Sequence, residues 1–255
     1  MGIVSENLTI VVCSKSNLFE LKRTLDSLRE TNFDIPEVIL ILSEYENSEI
    51  DELKSVYKPI ISELHLIPSS SIYEAMNIGI SKANKKYLMF LNAGDTLFNH
   101  SNLEKLLYSS NKKLWAYGQI IQINPGSRSK LIKFNPYIGF LHKNSFKYVP
   151  HPATIVDTNA IKELGGFDIE FKVAADQKLL IQLANIQKPG FCNLPIANFY
   201  VGGASNRTSR EIVKDYMKIN RDLFGPKMKS ILADRIYWKI ILILRNSLNF
   251  LKNIR

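Results

Sequence analysis

Apolar residues in this chain fall into short continuous runs, separated by stretches in which they recur every three or four positions. Leu8-Thr9-Ile10-Val11-Val12-Cys13, Val38 to Leu42, Leu64 to Ile67 and Tyr87-Leu88-Met89-Phe90-Leu91 are runs of the first kind. Such runs are expected of strands covered on both faces. Between them, Leu21, Leu25 and Leu28 mark one face of a helix over 18–30. A second helix is expected over 50–58. Ile72, Ala75, Met76, Gly79, Ile80 and Ala83 mark the buried face of a third, with Met76 in the core. This strand–helix–strand alternation predicts an α/β fold: a Rossmann-like, mostly parallel sheet flanked by helices.

The second half is less regular. A helix over 101–108 is expected, capped by Ser101 with Glu104 three residues on. Strands follow over 115–121, 151–156 and 191–201. The stretch 124–147 is polar, basic and rich in turn residues and interrupts the alternation; Lys130, Lys133 and Lys143 there suit an anionic partner or a solvated face. The last segment, 234–255, sets Ile236, Trp238, Ile240, Ile241, Leu244, Leu248 and Leu251 against Arg235, Lys239, Arg245, Lys252 and Arg255. A basic amphipathic helix of this kind fits a membrane interface, and a helix packed on the domain or on a second subunit fits the same pattern. The expected organisation is one domain over 1–207 and a helical, basic amphipathic tail over 208–255.

A length of 255 residues suits that organisation. The net charge of +9 favours an anionic partner such as a nucleotide diphosphate or an anionic membrane. A nucleic acid is not expected, because no RNA-binding aromatic signature or zinc spacing accompanies the charge. No G-x-G-x-x-G follows the first strand, which excludes the usual dehydrogenase pattern. The two cysteines, Cys13 and Cys192, give neither a metal spacing nor a disulfide framework. Residues 1–7 lack the regions of a signal peptide, and no apolar stretch approaches the roughly 18 residues of a spanning helix. The expected address is cytoplasmic, with peripheral contact on the inner face of the plasma membrane.

The run ending at Leu91 breaks into Asn92-Ala93-Gly94-Asp95. A carboxylate just past the C-terminal end of a buried strand sits where open α/β sheets bind ligands. Ile72-Tyr73-Glu74-Ala75-Met76-Asn77 and Phe90-Leu91-Asn92-Ala93-Gly94-Asp95 closely follow the text G-I-Y-D-A-M-N-K-G-I and F-L-N-A-G-D. On these motifs the chain resembles the family 2 glycosyltransferases of GT-A fold, and in particular a bacterial subgroup that builds surface polysaccharides. His151-Pro152-Ala153-Thr154, Leu164-Gly165-Gly166-Phe167-Asp168 and Ala174-Ala175-Asp176 resemble further motifs of that family.

The resemblance implies an inverting transfer from a nucleotide-sugar, UDP-linked, to a glycan or lipid-linked acceptor. It also implies a divalent metal, Mn2+ or Mg2+, with Asp95 and His151 as candidate ligands. A leaving diphosphate accumulates negative charge that such an ion stabilises. Asp176 takes the family's place for the base that accepts the acceptor's proton. Its plain reading is a helix N-terminal acid favoured by the helix dipole.

For the donor, the implied contacts are Ser14, Glu44, Ser71, Tyr73, Asn77, Asn92, Ala93, Gly94 and Arg207. Ser71 and Glu74 also read as a capping box. The chain departs from the family at Ser43-Glu44-Tyr45-Glu46, where relatives carry an Asp-rich turn. It departs again at Asn92, Gly94, Gln119 and Lys178, where relatives carry acids. These losses keep a second reading open: a non-catalytic relative that binds a nucleotide-sugar or a partner enzyme.

Overall fold

The computed structural model describes residues 2–29, 35–137, 148–201 and 209–225. In chain order the elements are α1 (Ile3–Asn7), β1 (Leu8–Lys15), α2 (Leu18–Arg29), β2 (Glu37–Ser43), α3 (Asn47–Val56), β3 (Glu63–Leu66), α4 (Ile72–Lys82) and β4 (Tyr87–Phe90). They continue as β5 (Thr96–Leu97), α5 (His100–Ser109), β6 (Trp115–Ile123), β7 (Lys130–Ile132), a 3-10 turn His151–Ala153, β8 (Thr154–Asp157), α6 (Thr158–Glu163), α7 (Ala175–Ile186), β9 (Gly190–Tyr200) and α8 (Ser209–Phe224).

The nine strands form one sheet in the order β3-β2-β1-β4-β8-β6-β9-β5, with β7 paired to β6. Strands β1, β2, β3, β4, β6 and β9 run one way, and β5, β7 and β8 oppose them. The α/β, mostly parallel expectation is met. The chain steps outward from β1 to β2 and β3, then returns to lay β4 on the other side of β1. That reversal opens a crevice beyond the carboxyl ends of β1 and β4, the place where doubly wound sheets take ligands.

Alternation along the strands builds two apolar layers. Val11 and Cys13 of β1, Ile39 and Ile41 of β2, and Trp115 and Tyr117 of β6 pack under α4, α6, α7 and α8. Leu8, Ile10 and Val12, with Leu40, Leu42 and Ala116, pack against α2 and α5 on the other face. Both faces are covered, so the strands read as unbroken apolar runs. Helix α4 lies close on β1. A Cβ at Gly79 would fall 2.4 Å from Val11 Cγ1, so only glycine lets the helix approach this far.

Several expected boundaries shift. Helix α5 is capped by Asn99, not Ser101: Asn99 stays extended at φ −166°, ψ 161°, and its side chain accepts the Asn102 N–H at 2.8 Å. The strand expected from 151 starts at Thr154, because Pro152 lies in the preceding 3-10 turn and has no N–H for a ladder. Ile72 is 36% exposed at the first turn of α4, and Tyr73 takes the buried position at 6%.

Within the expected tail, α8 packs on the domain through buried Tyr216, Ile219 and Asn220. The amphipathic segment 234–255 and Lys143 lie outside the described residues. Among the described residues no helix is long and apolar enough to cross a membrane.

Candidate active site

The ladder between β1 and β4 continues past Phe90 into the acidic turn. Leu91 N–H donates to Val11 O and Ala93 N–H to Cys13 O, both at 3.1 Å. The turn closes with Asp95 N–H on Asn92 O, and Gly94 adopts φ +104°. A polar stripe on α2 then grips it. Thr24 Oγ1 accepts from Gly94 N at 3.0 Å and donates to Asp95 O at 2.7 Å. Arg23 Nε donates to Gly94 O at 3.0 Å, and Ser27 Oγ accepts from Leu97 N at 3.1 Å. Glu20, Arg23, Thr24 and Ser27 sit at i, i+3, i+4 and i+7, the spacing of one helix face. Reading α2 only for its leucines missed this second face, whose signal is that polar periodicity.

The Asp95 carboxylate points into this packing. Its Oδ1 accepts from Tyr200 N at 3.1 Å, and the Arg23 guanidinium lies 3.8 Å over the Tyr200 ring. Burial pushes its pKa up to about 7, against the opposing pull of the Tyr200 hydrogen bond and Arg23. Asn92 Oδ1 is buried and has no hydrogen-bond partner. An unpartnered amide oxygen at Asn92 and a carboxyl at Asp95, in one turn, are oxygen ligand types that a hard cation suits. Among the described residues no group of three or more His, Cys, Asp or Glu could hold a metal. Oxygens of a bound diphosphate would complete the shell that these described residues leave open.

At the carboxyl ends of β1 and β2, Ser14 Oγ meets Tyr45 Oη, which also accepts the Asn17 N–H at 3.2 Å. Lys15 Nζ bonds Ser69 Oγ at 2.8 Å and pairs with Glu44 at 3.1 Å. The Ser69 hydroxyl and then Lys15 hold the Glu44 carboxyl below its ordinary range. Ser16 and Glu44 both carry positive φ, at +44° and +59°. Two non-glycine residues in that region on adjacent strand ends are a mark of a functional loop. Ser71 and Glu74 form the capping box: Glu74 accepts the Ser71 N–H at 2.7 Å, and Ser71 Oγ accepts the Glu74 N–H.

Asp176 lies in the first turn of α7, where the helix dipole favours a carboxylate. Its Oδ2 accepts from Gln177 Nε2 at 3.0 Å, and Gln177 is tied to Val149 through both its N–H and its C=O. Tyr73 Oη donates to Val173 O at 2.6 Å and approaches Asp176 Oδ1 at 3.4 Å. Burial, and then the Asp176 charge, push the Tyr73 phenol far above its ordinary value, so it stays a proton donor.

His151 stacks on Phe90, the last residue of β4, with centroids 5.5 Å apart, and meets Phe167 edge-on at 5.8 Å. Desolvation by burial pushes its pKa down, against the opposing pull of the Asp176 charge, and the net direction is down. A void of about 10 Å³, lined mostly by core residues such as Leu88, Val156, Ile161 and Leu180, also touches Phe90, His151, Phe167 and Asp176.

The structure thus gathers His151 with Asp176, and Asn92, Ala93, Gly94 and Asp95 with α2. Asn77 takes a packing role that its donor-binding expectation did not include: its amide bonds both the N–H and the C=O of Phe167 at 2.8 Å. Tyr73 likewise faces the α7 turn. Lys178, where relatives carry an acid, bridges Asp168 at 2.6 Å and Asp222 at 3.0 Å. Arg207 lies outside the described residues.

The family profile described as Glycosyl transferase family 2 matches residues 9–162, from β1 through α6. The chain belongs to glycosyl transferase family 2. Two strains of Mycobacterium tuberculosis carry uncharacterized glycosyltransferases 21% identical to it over 209 residues, covering 78% of this chain and 76% of theirs. The structure of S. aureus TarS 1–349 in complex with UDP superposes with TM-score 0.66 at 12% identity, over 88% of this chain and 67% of that one. Its complex with UDP-GlcNAc gives 0.65 at 14%, over 84% and 64%. At such identities the likeness establishes the fold, a GT-A-type mixed sheet.

Proposed function

We propose that this protein is an inverting glycosyltransferase. It would move a sugar from a UDP-linked donor to a glycan or lipid-linked acceptor in the cytoplasm, at the membrane's inner face, for surface polysaccharide assembly. The observation that carries this reading is Asp176: a carboxylate in the first turn of a helix, hydrogen-bonded by Gln177, with the Tyr73 hydroxyl 3.4 Å away and His151 packed nearby. Family membership supports the reaction class, and the UDP and UDP-GlcNAc complexes of TarS support trying uridine donors first.

In the proposed reaction the acceptor hydroxyl oxygen attacks the sugar's C1 from the face opposite the diphosphate. As the new O–C1 bond forms, the C1–O bond to the diphosphate breaks. Its electron pair leaves with the nucleoside diphosphate, and the hydroxyl proton passes to Asp176. Ser14, Glu44 and the Ser71 end of α4 would face the donor's nucleoside, with Arg207 near its phosphates. Asp95 and Asn92 are the residues that would hold Mn2+ or Mg2+, which when bound offsets charge on the leaving diphosphate. His151 belongs with the base in this reading, because it packs against Phe90 and Phe167 beside Asp176.

The test is thermal stabilisation by UDP, GDP, CDP and dTDP, each with and without manganese, on the wild type and on Asp95→Ala. A ligand at a hundred times its Kd stabilises the folded state by about 2.7 kcal/mol. A manganese-dependent shift with UDP that Asp95→Ala abolishes is expected. No shift with any nucleotide would overturn the donor site and favour a non-catalytic relative.

A further inference from the structure

The residue before α7, Ala174, has no side chain that can cap a helix, and none of its own atoms does so. An alanine is among the poorest N-caps, because the first N–H groups of a helix have no partner within it. Here the main chain just ahead of the first helical residue, Ala175, is held from another helix. Asp215 of α8 places Oδ2 at 2.8 Å from the Val173 N–H and 3.1 Å from the Ala174 N–H. On the other side of the same residue, Tyr73 of α4 donates to Val173 O at 2.6 Å. Val173 is therefore held at its N–H by one helix and at its C=O by another, three residues ahead of Asp176. Further along α8, Asp222 pairs with Lys178 of α7, and Lys218 pairs with Glu170 of the preceding loop.

We propose that Asp215 is a positioning residue for the base: it anchors the Val173–Ala174 main chain that leads into α7 and so fixes the direction in which Asp176 points. The proposal rests on the reading of Asp176 as the base. The direction of a first-turn side chain follows from the main chain of the two or three residues before it, and those are the residues Asp215 grips. Misplacement of a reacting group by about 1 Å costs on the order of 100-fold in rate. Donor affinity, by contrast, is set at the ends of β1 and β4, which Asp215 does not touch. Helix α8, assigned from the sequence to a tail, is on this view part of the catalytic apparatus.

The experiment uses the full chain with manganese and measures UDP release from UDP-GlcNAc with water as acceptor. Variants are Asp215→Ala, Asp215→Asn, Lys218→Met and Asp176→Asn. Asp215→Ala is expected to lower kcat by about 10- to 100-fold with KM within about twofold. Asp215→Asn, whose amide oxygen can still accept both N–H groups, restores most of kcat. Lys218→Met, which removes an exposed ion pair of the same helix, leaves kcat alone.

A substrate-free readout accompanies it. The 13C carboxyl resonance of Asp176, identified by its loss in Asp176→Asn, moves in Asp215→Ala and stays in place in the other two. Unchanged kcat in Asp215→Ala, an unmoved Asp176 resonance, or an Asp215→Asn variant as slow as the alanine would each overturn the proposal. Full UDP release by Asp176→Asn would instead refute the base assignment, whatever Asp215 does.

Discussion

Replacing Thr24 by valine keeps the volume and β-branching of the side chain and removes one hydroxyl. That hydroxyl is fully buried, donates to Asp95 O at 2.7 Å and accepts from Gly94 N at 3.0 Å. Gly94 N–H keeps a weaker partner in Glu20 O at 3.3 Å, but Asp95 O loses its partner. Each net hydrogen bond contributes about 1 kcal/mol, and a stranded buried carbonyl costs about 1–3 kcal/mol, so Thr24→Val should destabilise by about 2–3 kcal/mol. For a chain of this size that is a fall in Tm of roughly 4–12 °C. Thr24→Ser keeps the hydroxyl and loses one buried methyl, a cost of about 1 kcal/mol. Urea unfolding measures both, and nucleotide affinity measured alongside should fall in the valine variant as the acidic turn loosens. The reasoning fails if the valine variant unfolds within about 0.5 kcal/mol of wild type, or if serine is the worse of the two.

Gly79→Ala should cost about 1–3 kcal/mol through overpacking against Val11, and Val11→Ala should recover most of it in the double variant; additive losses in urea titrations would refute this. Burial works against the charge on Asp168, but the Lys178 hydrogen bond and the charges of Lys178 and Lys218 outweigh it and hold its carboxyl below the usual range. Stability from that pairing is therefore fully present above the unfolded carboxylate value, about 3.9, and is lost as pH falls through the lower folded value. The Tm gap between wild type and Asp168→Asn should be constant near neutrality and close in acid; a gap that widens as pH falls would contradict it. Burial pushes the Cys13 thiol far above its ordinary pKa, so a thiol reagent should modify Cys13 only after unfolding, and prompt labelling in the native state would refute its placement.

Strands β1, β2 and β4 and helix α4 were legible because burial on both faces leaves an unmistakable apolar run and a three-and-four helical stripe. The same logic failed where short-range patterns are ambiguous. Strands β5 and β7 are two and three residues long and carry no periodicity. Ser101 and Asn99 are both competent caps, and only the main chain around Asn99 decides between them. Within the candidate site, the motif at 90–95 marks the end of β4. It could not say that α2 grips the turn or that the Asp95 carboxylate meets Tyr200, since both partners lie far away in sequence. Asn77 and Tyr73, implied as donor contacts by the resemblance, bond Phe167 and Val173, main-chain partners that no periodicity reveals. Asp215 gave no signal at all, being one acid among several on an amphipathic helix.

The clamp on the acidic turn bears on how this site has changed over evolutionary time. Gly94 is held at φ +104°, and a Cβ there would lie 3.3 Å from Arg23 Nη2 and 3.5 Å from a Glu20 carboxylate oxygen. An acid at position 94 would need a strained main chain and would crowd both Arg23 and Glu20. Position 92 has no such barrier, since Asn92 and Asp are near isosteres. Homologous sequences with an acid at position 94 should accordingly also differ at 20 or 23, a covariation between a loop and a helix more than seventy residues apart.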